Sequence, residues 1–280
     1  MLTRIAAMSC LAVLGLPAAA SAADLDEIIY ARELPVTKPV EVGSGWYLRG
    51  DLGYSARTRG EATSFSSFTA APVPTYTVTT YDSSSIENDW SGSVGVGYSF
   101  TDYLRADLTF DYTRGNFGSS RASAAACAGV ASGTCATIES QEFEQYGLMA
   151  NAYVDLGTFA GFTPYVGGGA GMTRVVWDTL SRDNRCVSAL GNACGAGTPT
   201  DTTHLGEESW RFTYALMAGV SYDLSRNLKL DVGYRYSKID SGEQYGYDAA
   251  SIAAGATGVQ GFDDGFENHE VRAGLRYALW

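Results

Sequence analysis

Beyond residue 45, apolar and polar positions alternate with a period of two over most of the chain. From Trp46 the even positions are apolar or small (Trp46, Leu48, Gly50, Leu52, Tyr54), and the odd ones are polar or small (Arg49, Asp51, Gly53, Ser55). Such a repeat puts alternate side chains on opposite faces of a β-strand. It returns over 90–100 and 104–112, joined by the turn 101–102, and again over 146–156, 210–222, 228–236 and 271–279. The stretch 163–176 is glycine-rich and follows the repeat less clearly. Eight strands of about ten residues result, each long enough to cross a bilayer when tilted. Short connections (101–102, 157–162, 225–227) alternate with long ones (58–88, 113–143, 178–209, 237–269). The expected fold is all-β, an eight-stranded antiparallel transmembrane up-and-down β-barrel with periplasmic turns and four long extracellular loops.

A secreted soluble sandwich with one face in a core would alternate in the same way, so other features must choose. The polar face carries Gly, Ser, Arg and Asp and almost none of the Lys and Glu of a water-exposed sheet; the whole chain has three lysines, Lys38, Lys229 and Lys238. Aromatics of the apolar face gather at strand ends. Trp46, Tyr98, Phe100, Tyr103, Tyr222 and Tyr277 lie toward one rim, and Trp90, Tyr112, Tyr146, Trp210, Phe212 and Tyr236 toward the other. Two such girdles mark the two interfaces of an outer membrane.

The amino end predicts export. Residues 1–4 carry one positive charge, 5–16 form an apolar run, Pro17 breaks it, and Ala20-Ser21-Ala22 supplies a small-x-small cleavage pattern. That run is too short to span a bilayer core of about 30 Å as a helix. The expected organisation is a cleaved signal peptide over 1–22, a periplasmic linker over 23–44 containing Pro35 and Pro39, and the barrel over 45–280. With 19 basic and 31 acidic residues among 280, the net charge is −12, which removes nucleic acid as a partner.

Three stretches then carry a resemblance: Gly45-Trp46-Tyr47-Leu48-Arg49-Gly50-Asp51-Leu52-Gly53-Tyr54, Thr163-Pro164-Tyr165-Val166-Gly167-Gly168-Gly169-Ala170-Gly171, and Val271-Arg272-Ala273-Gly274-Leu275-Arg276-Tyr277. Together they resemble the small outer-membrane β-barrel surface antigens of alphaproteobacteria, related in architecture to the opacity proteins and to the barrel of outer membrane protein A. The resemblance implies a structural, surface-exposed protein of the Gram-negative outer membrane, without catalysis or cofactor. Its implied partners are outer-membrane lipid, lipopolysaccharide and the barrel-assembly machinery; an extracellular partner is not specified. Members end Tyr-x-Phe as an assembly signal, whereas here Tyr277 and Leu279 hold that frame and Trp280 follows one residue later. Some members are tied covalently to peptidoglycan through a mature terminus beginning Ala-Asp, and cleavage after residue 22 exposes Ala23-Asp24. An untethered disordered leader, with Asp24, Asp26 and Glu27, fits the same residues.

Taking odd positions of the first seven strands and even positions of the eighth as inward fills the lumen with charge. Arg49, Arg105, Arg211, Lys229, Arg235, Arg272 and Arg276 face Asp51, Asp107, Asp111, Asp155, Asp223, Asp231 and Glu270. Side chains fill a barrel of eight strands, so these groups are expected to pair in a dry plug. Gly95, Gly97, Gly167, Gly169 and Gly171 would leave room there for Tyr47 and Tyr153. A narrow solute or proton path through the same groups is one alternative function, and a lipid-modifying enzyme another. For the enzyme, His204 and His269 lie near acids in the sequence, but neither Gly-x-Ser-x-Gly nor His-Glu-x-x-His occurs, and both histidines read as solvated loop residues.

Acids of the last long connection (Asp240, Glu243, Asp248, Asp263, Asp264, Glu267) read as loop acids that could hold divalent ions near lipopolysaccharide, although they lack regular ligand spacing. Cys127 and Cys135 fall in the second long connection and Cys186 and Cys194 in the third, each pair separated by seven residues. Three connectivities exist. Matched short spacings favour one disulfide per loop, formed in an oxidising periplasm, with zinc bound near His204 as the rival reading.

Overall fold

The alternating stretches form strands, and those strands run well past the point where the apolar alternation fades. A computed structural model describes residues 45–60, 62, 64–123, 134–187 and 201–279. In chain order the strands are β1 (Trp46–Gly60), β2 (Ser64–Thr69), β3 (Thr75–Thr80), β4 (Ser83–Ser99), β5 (Leu104–Ser123), β6 (Thr134–Asp155), β7 (Phe162–Trp177), β8 (Leu180–Val187), β9 (Thr202–His204), β10 (Glu208–Asp223), β11 (Leu228–Ile239), β12 (Gly242–Gly246), β13 (Val259–Asp263) and β14 (Phe266–Ala278). One short helix, α1 (Ala249–Ala253), lies between β12 and β13.

The longest ladders run in the order β5-β4-β1-β14-β11-β10-β7-β6, every pair antiparallel, and β6 returns to β5. A sheet closed in this way leaves no unpaired backbone edge, the condition for placing strands in hydrocarbon. Its outer face is apolar: Leu52 is 68% exposed and Leu216 59%, with Val94, Leu108, Leu148, Val232 and Leu275 also exposed around the ring. A water-soluble protein rarely presents so continuous a patch.

Short connections gather at one end, and side-chain oxygens hold them. Thr101 Oγ1 accepts from the backbone N–H of Leu104 at 3.0 Å, and Ser225 Oγ from that of Leu228 at 3.1 Å. Between β6 and β7, Ala160 and Gly161 have φ of 52° and 83°, so Phe159 and Phe162 bridge across a tight reversal.

The long connections are not loops throughout, which corrects the expectation from the sequence. β4 extends back to Ser83, β5 forward to Ser123 and β6 back to Thr134, so the β5–β6 hairpin stands well above the apolar belt. β8 pairs with the upper part of β6, and β9 with β8. β2 and β3 from the first long connection join β12 and β13 from the last in a separate sheet of order β12-β13-β2-β3. These pieces form a crown around the outer end of the ring. Their polar, Ser- and Thr-rich outer faces look like loop in sequence, but their inner faces bury an apolar cluster. Phe117, Phe143, Val175, Trp177, Ile239 and Phe266 meet there, joined by Ile86, Leu180 and Tyr245. Phe143 packs on Trp177 at 4.9 Å and on Phe266 at 5.2 Å between ring centroids, which closes the barrel's outer end.

Candidate functional site

Inward positions of the ring build a layered network of ion pairs. Near the middle, Arg49 donates to both oxygens of Asp51 at 2.8 and 2.9 Å, to Asp107 at 2.7 Å and to the Tyr153 hydroxyl at 2.9 Å. Asp107 also accepts from Asn151 at 2.8 Å and from the Tyr47 hydroxyl at 3.1 Å. One layer outward, Arg235 clasps both oxygens of Asp111 at 3.2 Å, while Arg272 reaches Asp111 at 3.2 Å and Glu270 at 2.6 Å. The Ser91 hydroxyl donates to the other oxygen of Glu270. Toward the end that carries the short turns, Arg276 pairs with Asp231 at 3.2 Å and Arg105 with Asp155 at 3.1 Å.

Among the described residues the remaining guanidinium nitrogens of Arg105 have no hydrogen-bond acceptor, and aromatic faces take their place. Its Cζ lies 4.0 Å from the Tyr153 ring centroid and 4.9 Å from that of Tyr165. These rings fit because glycine faces them: a Cβ at Gly97 would run into the Tyr47 ring, and one at Gly167 into the Tyr153 ring.

The network leaves little free space. A lumenal cavity of about 40 Å³ is bordered by Asp111, Arg235, Glu270 and Arg272, and another of about 20 Å³ by Arg49, Tyr165 and Asp231. One water needs about 10–15 Å³ of such space, so the first cavity suits a few waters and the second a single one.

Three sequence readings need correction. Lys229 and Asp223 pair at 2.7 Å, but at the short-turn mouth of the ring with their side chains 36% exposed, outside the dry network. Asp263 is not an exposed loop acid: it is 1% exposed and holds Arg211 at 2.6 Å. The chain between β11 and β14 folds back over the lumen and supplies the carboxylate that a buried Arg211 requires. His204 is likewise buried. Its Nδ1 donates to the Gly246 carbonyl at 3.2 Å and its Nε2 accepts from the Thr202 hydroxyl at 3.3 Å. Burial, with Arg182 nearby, holds its imidazole below the usual histidine range. His269 lies on the outer wall, bonded to the Tyr234 hydroxyl.

Other acids of the last connection are also occupied. Asp248 caps α1 through the Ser251 N–H at 2.7 Å, and Glu267 pairs with Lys238 at 3.1 Å. Among the described residues, no group of three or more His, Cys, Asp or Glu is placed to hold a metal ion.

In the crown, a recess of about 440 Å³ opens between Phe65, Tyr81, Arg121, Glu139 and Arg182. Glu139 is buried, accepting from Arg182 Nε at 2.6 Å and the Ser119 hydroxyl at 2.9 Å. Cys135 and Cys186 occupy opposed positions on β6 and β8, whereas Cys127 and Cys194 lie outside the described residues. Tyr277 and Leu279 face outward at the end of the barrel, and Trp280, Ala23 and Asp24 lie outside the described residues.

A closed antiparallel sheet with an apolar outer face and an ion-paired interior defines an outer-membrane β-barrel. The chain belongs to the outer membrane protein beta-barrel domain family, which matches residues 8–278. It is thus an outer-membrane protein of a Gram-negative bacterium. An uncharacterized protein of Brucella abortus (strain 2308) is 38% identical over 288 residues, covering 98% of this chain and 97% of its own. A Rickettsia bellii (strain RML369-C) protein named as a candidate adhesin is 24% identical over 190 residues, 68% of this chain and 75% of its own. Among solved structures, Neisserial surface protein A is similar at 19% identity with a TM-score of 0.42, over 84% of this chain and 98% of that one.

Proposed function

We propose that the protein is an eight-stranded transmembrane up-and-down barrel whose lumen is structural and whose crown is its working surface, displayed to the exterior without catalytic turnover. One observation carries this reading: the ion-paired lumen is capped by the aromatic cluster of Phe143, Trp177 and Phe266, so the interior is filled and the exposed chemistry lies above it. A narrow channel would need the cluster and the Asp111 layer to part together. In this reading residues 1–22 are removed on export and the crown faces outward.

Topology is tested with single cysteines in a background whose four mature cysteines are serine. Val78→Cys, in the crown, should react with an impermeant maleimide on intact cells, and Phe159→Cys, in a short turn, only after the outer membrane is permeabilised. The reverse pattern inverts the barrel. Purified protein in planar bilayers should show no conductance steps; regular steps would favour the channel. Deletion should leave lipid A unchanged, since altered acylation would favour an enzyme.

Attachment of Ala23-Asp24 to the cell wall is a further part of the proposal, supported by the family resemblance. The 22 residues of 23–44 extend at most about 70 Å at about 3.3 Å each. Mass spectrometry of digested sacculi decides it: absence of a muropeptide-linked peptide beginning at Ala23 removes the tether.

A further inference from the structure

We propose that Cys135 and Cys186 form a disulfide that staples the second extracellular connection to the third, in place of one bridge within each loop. β6 and β8 pair without a register shift from Thr134↔Val187 to Ser140↔Ser181, and within that ladder Cys135 stands directly opposite Cys186. Opposed residues of an antiparallel pair have Cα atoms about 4.5–5.5 Å apart. A disulfide spans Cα separations of about 4.4–6.8 Å.

The bridge has a structural target. Thr137↔Asn184 and Glu139↔Arg182 are further rungs of the same ladder, and all four residues border the crown recess. Only seven residue pairs hold β8 to β6, and the staple fixes that wall at its far end. Oxidation removes one hydrogen from each Sγ and joins the two sulfurs. The two electrons and two protons pass to an external disulfide of a thiol–disulfide oxidoreductase met during export, which leaves as a dithiol.

Tryptic mapping under non-reducing conditions tests the proposal. Cleavage after Arg121, Arg174, Arg185 and Arg211 leaves Cys127 and Cys135 in peptide 122–174 and Cys186 and Cys194 in peptide 186–211. These two peptides should appear as one species that separates on reduction. Two unlinked peptides, whether internally bridged or carrying free thiols, overturn the proposal. Cys127→Ser combined with Cys194→Ser then isolates the opposed rung. The linked species should persist with complete loss of free thiol, and free Cys135 and Cys186 in a barrel that still resists SDS until boiled would refute it.

Discussion

Asp111 is the residue on which the lumen's charge balance turns. It holds two guanidiniums at once, Arg235 through both oxygens and Arg272 through one, and those two cations with Asp111 and Glu270 form a set of zero net charge. Among the described residues Arg235 makes no other ion pair, and its side chain is 7% exposed. Asp111→Ala therefore strands a buried cation, whereas Arg272 keeps Glu270. Removing one partner of a buried pair costs about 3–5 kcal/mol. Arg235→Ala should cost less, about 1–3 kcal/mol, because Asp111 remains bonded to Arg272. Lys238 and Glu267, with side chains 39% and 35% exposed, set the baseline: Lys238→Ala should cost about 0–1 kcal/mol. A double variant, Asp111→Leu with Arg235→Met, removes one charge of each sign and should recover most of the Asp111→Ala loss. Urea unfolding in detergent micelles, followed by loss of the band that resists SDS until heated, measures all four. The reasoning fails if Asp111→Ala lies within about 1 kcal/mol of Lys238→Ala, or if the double variant is less stable than Asp111→Ala.

Trp177→Ala should cost about 3–5 kcal/mol, because the ring fills the space between Phe117, Phe143 and Phe266; a melt unchanged from the parent would mean the cap is not packed. Gly97→Ala drives a methyl group into the Tyr47 ring and should cost about 1–3 kcal/mol, with partial recovery when Tyr47→Leu withdraws the ring. His204 predicts a pH dependence: the closed crown holds it neutral, while an opened crown takes up a proton below about pH 6.5. Crown stability should thus be flat above that pH and fall on acidification, with His204→Asn removing the slope. Hydrogen exchange of β9 at neutral pH and at about pH 5 reads it, and equal protection at both refutes it.

The ring was legible because membrane and lumen impose opposite demands on successive residues, and β1, β4, β5, β10, β11 and β14 obey them across the apolar belt. Arg49, Asp51, Asp111, Arg235, Arg272 and Arg276 stood out as charges on the face that lipid cannot tolerate. The crown was hidden because water on its outside permits Ser, Thr and Glu, so alternation loses its contrast. The inward parity nevertheless continues: Phe117, Phe143, Val175, Trp177 and Ile239 are odd, and Phe266 is even on β14, as for the lumenal charges below them. Extending that parity past the apolar belt would have found the cap. Ile86 would still have been missed, because the irregularity between Asn88 and Ser91 changes the phase of β4. The Asp263–Arg211 pair joins elements 52 residues apart through a reversal that alternation does not encode.

The hairpin of β5 and β6 also sets a height. Its strands have 20 and 22 residues. Twenty residues at about 3.3 Å each, tilted by about 40°, rise about 50 Å along the barrel axis. The hydrocarbon-facing band takes about 25 Å of that. The upper half is then a mast, carrying Glu139 and Arg182 clear of the lipid headgroups. Phosphate fields fade over about 8 Å at physiological salt. At the masthead the electrostatics is therefore set by the crown's own guanidiniums and carboxylates, and a macromolecule too bulky to enter the headgroup layer meets those charges before it meets the membrane.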